Sequence, residues 1–222
     1  MIKDIRRVTI FAGHYGSGKT NIAVNYALKI KEETGSAVAL ADLDIVNPYY
    51  RAKDSTDKLE ENGIRMISSP FANSNVDLPA LPPEAYAIIH DENVYAVCDV
   101  GGDDRGAYAL GRYRDGIMKG DYEMLMVVNM YRPLTRTVEE VLEMKAEIEA
   151  AAGIPFTGIV NNSNIGPLTT KEDVVKSFDF IDEISEKTGL PLRFVTVWDK
   201  IYPELSEEYE NLIPLTLQER VW

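Results

Sequence analysis

The stretch Val8-Thr-Ile-Phe-Ala-Gly13-His-Tyr-Gly-Ser-Gly-Lys-Thr20 decides how this chain is read. Val8–Ala12 is a short apolar run of the kind that forms a buried strand, and it leads directly into G-x-x-x-x-G-K-[ST], matched in full by Gly13 to Thr20. Gly16 and Gly18 let the backbone curl so that successive N–H groups point inward at an anion. A helix that begins near Gly18 turns its positive end toward the same anion. Lys19 is then placed to reach the β- and γ-phosphates of a nucleotide, and the Thr20 hydroxyl to bind Mg²⁺. Ile22, Ala23, Tyr26, Ala27 and Ile30 recur at helical spacing until Gly35. The strand–loop–helix context that the motif requires is therefore present. The residues expected at the nucleotide are Gly13, His14, Tyr15, Gly16, Ser17, Gly18, Lys19, Thr20 and Asn21.

Outward from this loop, short apolar runs alternate with amphipathic stretches, the pattern of βαβ units around a mainly parallel sheet with helices on both faces. Strands are expected at Val8–Ala12, Ala37–Ala41, Ile64–Ser68, Val94–Val100, Met124–Asn129, Thr157–Asn161 and Arg193–Val197. Their nearly continuous apolar character suits strands covered on both faces. Thr137 with Glu140 forms a capping-box pattern, and Gly153 followed by Pro155 ends that helix. Thr170 opens another, with Val174, Phe178, Ile181 and Ile184 on one face until Gly189. Ser69–Pro83 reads as a proline-rich loop, and Gly101–Gly120, rich in Gly, Asp, Arg and Tyr, as an irregular segment of functional interest. The 222 residues suit one α/β domain of the P-loop type over residues 1–222.

Mg²⁺ needs further oxygen ligands, and open α/β sheets place ligands at the carboxyl ends of their strands. Two runs end in aspartate there. Ala37–Ala41 is followed by Asp42-Leu-Asp44, and Val94–Cys98 by Asp99-Val-Gly-Gly102. Asp99 reads as the carboxylate that holds Mg²⁺ directly or through water, with the Gly102 N–H three residues on meeting the γ-phosphate. Asp42 and Asp44 project from the same side of an extended chain, one to fix a metal-bound water and the other to orient the attacking water. Asp42 as the cap of the next turn is the competing role. Cys98 reads as a small buried residue.

With these motifs in order, the chain resembles the MinD/ParA branch of P-loop ATPases, the SIMIBI class of nucleotide-binding domains. The resemblance rests on the P-loop, on Ala41-Asp-Leu-Asp-Ile-Val-Asn-Pro48, on Asp99-Val-Gly-Gly-Asp103 and on Val160-Asn-Asn162. It implies ATP with Mg²⁺ as ligands, a first switch from Asp44 to Arg51, and a second from Asp99 through Arg105. It also implies an asparagine at the base edge, either Asn161 or Asn162. Many members of the branch carry a second lysine after the first P-loop glycine, which reaches the nucleotide of a partner chain in a nucleotide-dependent homodimer. Here that position is His14, and a neutral imidazole does not replace a fixed ammonium. Arg51, Arg105 and Arg132 are the candidate substitutes.

Charge and composition narrow the role. A formal charge of −13 repels phosphate backbones and anionic lipids, so neither nucleic acid nor a membrane is expected as a partner. With one cysteine there is no internal disulfide and no paired-thiol metal site. No run of about 18 apolar residues is present, and Lys3, Arg6 and Arg7 precede too few apolar residues for a signal peptide. A cytoplasmic location follows as an expectation. Thr170-Lys-Glu-Asp173 matches the guanine-reading pattern [NT]KxD, but it lies about nine residues beyond Asn161, where Thr170 reads as a helix cap. Arg132 reads equally as a phosphate or acidic-substrate ligand and as a solvated loop residue. The expected activity is Mg-dependent ATP hydrolysis, with Lys19 and Asp44 catalytic, driving a switch on a partner protein. The alternatives are a phosphotransferase or ligase with a small-molecule acceptor and a non-hydrolysing nucleotide sensor.

Overall fold

The computed structural model describes residues 2–43, 53–68, 83–102 and 104–217. In chain order the elements are β1 (Val8–Ala12), α1 (Lys19–Thr34), β2 (Ala37–Leu43), α2 (Lys53–Glu61), β3 (Ile64–Ser68), α3 (Pro83–His90), β4 (Val94–Val100) and α4 (Asp104–Gly111). There follow α5 (Arg114–Lys119), β5 (Tyr122–Val128), α6 (Val138–Ala152), β6 (Gly158–Asn161), α7 (Lys171–Thr188), β7 (Leu192–Trp198), α8 (Tyr202–Ser206) and β8 (Leu212–Leu215). The eight strands form one sheet in the order β3-β2-β4-β1-β5-β6-β7-β8, and every pair is parallel.

Strand β1 shows why the apolar runs become central strands. All five of its residues are buried, and they alternate between faces. Val8, Ile10 and Ala12 join a core with Ile88, Leu110, Val141, Ile148 and Ile181 from helices on one side. Phe11 faces the opposite core with Ile22, Tyr26 and Ile30 of α1 and with Phe194 of β7. Tyr26 stacks on Phe194 with ring centroids 5.6 Å apart, and Phe11 meets Tyr26 edge-on at 5.2 Å. Glu123, buried in β5, accepts from Thr9 Oγ1, Tyr26 Oη and Arg193 Nε, which satisfies a carboxylate that the apolar runs did not announce. Among the described residues no helix is long and apolar enough to cross a membrane.

The parallel sheet with flanking helices agrees with the sequence; the bounds of β5, β6 and β7 move by one or two residues, and three further details differ. The Gly101–Gly120 segment, read as irregular, contains α4 and α5. Its glycines serve close packing: a Cβ on Gly111 would lie 3.0 Å from Ala152 O of α6, and one on Gly106 2.8 Å from Gly101. Burial of Ala107, Leu110 and Ile117 stabilises helices whose composition alone argues against them. Second, β8 was not foreseen. It is an edge strand of four residues containing Pro214, which is tolerable where only one side is paired. Third, β2 continues to Leu43, so Asp42 lies within the strand. The expected loop at Ser69–Pro83 falls outside the described residues except for Pro83, which opens α3, a position that suits proline.

Candidate nucleotide site

β1 ends at Ala12 and α1 begins at Lys19, so the loop between them stands at the carboxyl edge of the sheet, between β4 and β5. Gly18 sits at the N-cap with φ 90°, a left-handed conformation that glycine adopts without strain, and it has no side chain to block the first N–H groups of α1. Ile22 N–H closes the first helical turn onto Gly18 O at 3.1 Å. Asn21, in that turn, uses its carbonyl to accept from Asn25 Nδ2 at 2.8 Å.

The structure brings Thr20, Asp99 and Asp42 together. Thr20 Oγ1 donates to Asp99 Oδ2 at 2.6 Å. Asp42 and Asp99 are register partners on adjacent strands, and both are buried. Like charges side by side in a sheet repel, so a divalent cation placed against them relieves that repulsion. The donor set is all oxygen, from one hydroxyl and two carboxylates, which is the chemistry Mg²⁺ accepts. No cluster of three or more His, Cys, Asp or Glu stands among the described residues, so the rest of an Mg²⁺ shell would come from phosphate and water. Asp44 and Arg51 lie outside the described residues, as does the Arg105 side chain.

The rest of the loop is held by its own residues and by neighbouring strand ends. Lys19 is buried and its Nζ donates to His14 O at 3.1 Å. His14 Nδ1 accepts from Tyr15 N–H at 2.8 Å, which requires that nitrogen to be unprotonated. Burial, and then the charge of Lys19, hold His14 below the usual imidazole range, while Glu147 opposes them. Gly102 presses on the loop from β4: a Cβ there would lie 2.5 Å from Tyr15 N and 2.8 Å from His14 C. Tyr15 is the exposed tip. Cys98, one residue before Asp99, is wholly buried, and burial pushes its thiol up to about 12.

Asn161, the last residue of β6, and Asn162 after it are both engaged within the protein. Asn161 Nδ2 donates to Ser177 Oγ at 2.7 Å, fastening β6 to α7. Asn162 Nδ2 donates to Ser17 O at 2.5 Å, and its Oδ1 accepts from Thr196 Oγ1 at 2.6 Å and from Asn164 Nδ2 at 3.0 Å. Asn162 therefore ties the P-loop to the ends of β6 and β7. Asn129 extends the network: its Nδ2 donates to Asn164 O at 3.1 Å, and its Oδ1 accepts from Tyr131 N–H at 3.0 Å. Asn129, Asn164 and Thr196 were not singled out from the sequence. The repeated Asn-Asn-Ser-Asn at 161–164 was the available signal, because small polar residues at a strand end compete for backbone groups.

Thr170 caps α7. Its Oγ1 accepts from Asp173 N–H at 3.3 Å, and Asp173 Oδ2 accepts from Thr170 N–H at 2.9 Å. The [NT]KxD match is thus a capping box. A separate cleft of about 690 Å³ opens at the opposite, amino-terminal edge of the sheet, beside Arg7, His90, Tyr95 and Lys119. Its Arg7 guanidinium is already committed to the carbonyls of Ile88, Ile89 and Asp91. The His90 ring, at the end of α3, packs on Tyr86. That cleft shares no residue with the phosphate loop.

No protein-family model matches the sequence, and no curated protein matches it. Solved structures do. The cell division protein FtsY from Thermotoga maritima superposes with a TM-score of 0.58 at 19% identity, over 86% of this chain and 61% of that one. The fold is that of P-loop nucleotide-binding proteins. The 54 kDa signal recognition particle protein from Aeropyrum pernix, in complex with GDP, matches with a TM-score of 0.55 at 16% identity, over 87% of this chain and 42% of that one. FlhF complexed with GTP and Mg²⁺ gives 0.50 at 13% identity, over 86% and 65%. The chain thus spans less than two thirds of the length of these structures.

Proposed function

We propose that this chain is a Mg²⁺-dependent nucleoside triphosphatase of the SIMIBI class, with ATP as its nucleotide, that works as a switch on a partner protein. The observation that carries the reading is the junction of loop and strand: the P-loop Thr20 hydroxyl lies 2.6 Å from Asp99, one residue beyond the buried Lys19. In this reading the P-loop N–H groups and Lys19 hold the phosphates. Thr20, Asp99 and Asp42 hold Mg²⁺, which when bound neutralises charge on the phosphates. Asp44 orients the attacking water, and Gly102 N–H approaches the γ-phosphate from β4. The order of the motifs favours the MinD/ParA branch.

A second reading, GTP in place of ATP, is favoured by two of the solved structures, one in complex with GDP and one with GTP and Mg²⁺. Against it stands Asp173, whose carboxylate closes the α7 capping box. Phosphate release separates the possibilities. With Mg·ATP and no acceptor the protein should liberate phosphate, faster than with Mg·GTP. Lys19→Ala and Asp44→Ala should each abolish release, and Asp99→Asn should weaken Mg²⁺ dependence. Turnover that begins only after a small-molecule acceptor is added would replace the hydrolase reading with a phosphotransferase. Tight binding without turnover would leave a sensor.

A further inference from the structure

The charge accounting of the phosphate loop is incomplete. Lys19 is the one cation within the motif, and a triphosphate carries more negative charge than one ammonium offsets. His14 does not add to it, because its Nδ1 accepts from Tyr15 N–H and its environment holds the ring neutral.

Arg132, in the β5–α6 connection, lies over the loop. A methyl group built on Gly16 would sit 3.9 Å from Arg132 Cδ, so the arginine stem passes beside the P-loop at Gly16. Its Nε is buried and has no hydrogen-bond partner among the described residues. A guanidinium stays charged under all conditions a protein survives, so a dry N–H on it calls for an acceptor.

The backbone that carries Arg132 is fixed on several sides. Arg132 N–H donates to Asn129 O at 3.1 Å, and Thr135 N–H to Arg132 O at 3.1 Å. Thr135 Oγ1 donates to Asn129 O at 2.6 Å. Tyr131 Oη donates to Asp173 O at 2.8 Å, which braces the loop on α7. Asn129 Oδ1 also accepts from Asn164 N–H at 3.3 Å, joining this loop to the one that holds Ser17. The same polar network therefore positions both the P-loop and the arginine above it.

We propose that Arg132 is a phosphate-binding residue acting in cis: its guanidinium, held over Gly16, binds the phosphate chain of the bound nucleotide. It supplies from the same chain the charge that a lysine at position 14 would bring from a partner. The inference rests on the nucleotide-binding reading above.

The test uses Arg132→Met, Arg132→Ala and Arg132→Lys in the full chain, with Lys19→Ala as control. Fluorescent ATP-analogue binding and phosphate release are measured for each, and folding is checked by thermal melting. Arg132→Met keeps the apolar stem on Gly16 and removes the charge. It should lose about 10- to 100-fold in triphosphate affinity or turnover, the range of a charge-assisted hydrogen bond. Arg132→Lys should recover part of that loss, since it keeps the charge without the planar fork. Wild-type behaviour of Arg132→Met, beside a Lys19→Ala variant that has lost nucleotide, would overturn the role of Arg132 and leave the nucleotide reading standing. If Lys19→Ala binds nucleotide as wild type does, the nucleotide reading falls and Arg132 with it.

Discussion

Gly102 shows how little room the phosphate loop has. The nearest atoms to a Cβ at this position are backbone atoms of Tyr15, His14 and Gly13, at 2.5 to 3.0 Å, so the loop itself would have to move. Strain of this kind costs about 1–3 kcal/mol, and Gly102→Ala should weaken nucleotide binding by about 5- to 150-fold. Titration with a fluorescent analogue checks this, and unchanged affinity would show that the loop yields freely. His14 makes a second prediction. Its folded value lies below the ordinary one near 6.5, so the unfolded chain takes up a proton first as pH falls. Stability is full above about pH 6.5 and declines below it, until the folded imidazole also protonates. The urea midpoint should therefore drop more between pH 7.5 and 5.5 in wild type than in His14→Gln. Equal drops would mean that the ring is not held neutral. At this scale the strand–loop–helix at Gly13–Thr20 was legible because the G-x-x-x-x-G-K-[ST] pattern fixes both types and spacing. The partners Asn129, Asn164 and Thr196 were not, because their meeting depends on β5, β6 and β7 lying side by side.

Among the elements, those with strong local signals were legible and those made by packing were not. Thr137 and Thr170 each announce a helix start three residues before an acid, and both form complete capping boxes. The glycine-rich chain of α4 has the opposite character. Its helical state depends on Gly106 and Gly111 meeting Gly101 and Ala152 closely, contacts between residues that the local sequence does not relate. The short β8 run with its proline becomes a strand because β7 offers a free edge. The capping box at α7 also bears on base choice. Thr170→Ala should cost about 0.5–2 kcal/mol of stability in denaturant unfolding, the usual loss of an N-cap. Asp173→Ala should leave the ratio of ATP to GTP affinity unchanged. A shift in that ratio would return Asp173 to the base-reading role that its capping bonds argue against.

At the scale of the molecule, the phosphate loop is where separate parts of the sheet are joined. β1 carries it, Gly102 after β4 abuts it, and Asn162 after β6 ties it to β7 through Thr196. A nucleotide bound there contacts a junction that does not exist in the unfolded chain, so its binding energy adds to folding stability. At a ligand concentration 100 times Kd the gain is about 2.7 kcal/mol. A domain of this size gains roughly 2–4 °C in Tm per kcal/mol, so the melting temperature should rise by about 5–10 °C. The size of the rise also reports on the metal. Thr20 and Asp99 now bond to each other, and the buried Asp42 sits in register beside Asp99, so phosphate entering without a cation meets like charge. Chelation with EDTA should therefore remove most of the shift given by Mg·ATP, and Lys19→Ala should remove it entirely. An equal shift with and without Mg²⁺ would mean that the aspartates do not hold the metal. A rise that survives in Lys19→Ala would place the nucleotide away from this junction.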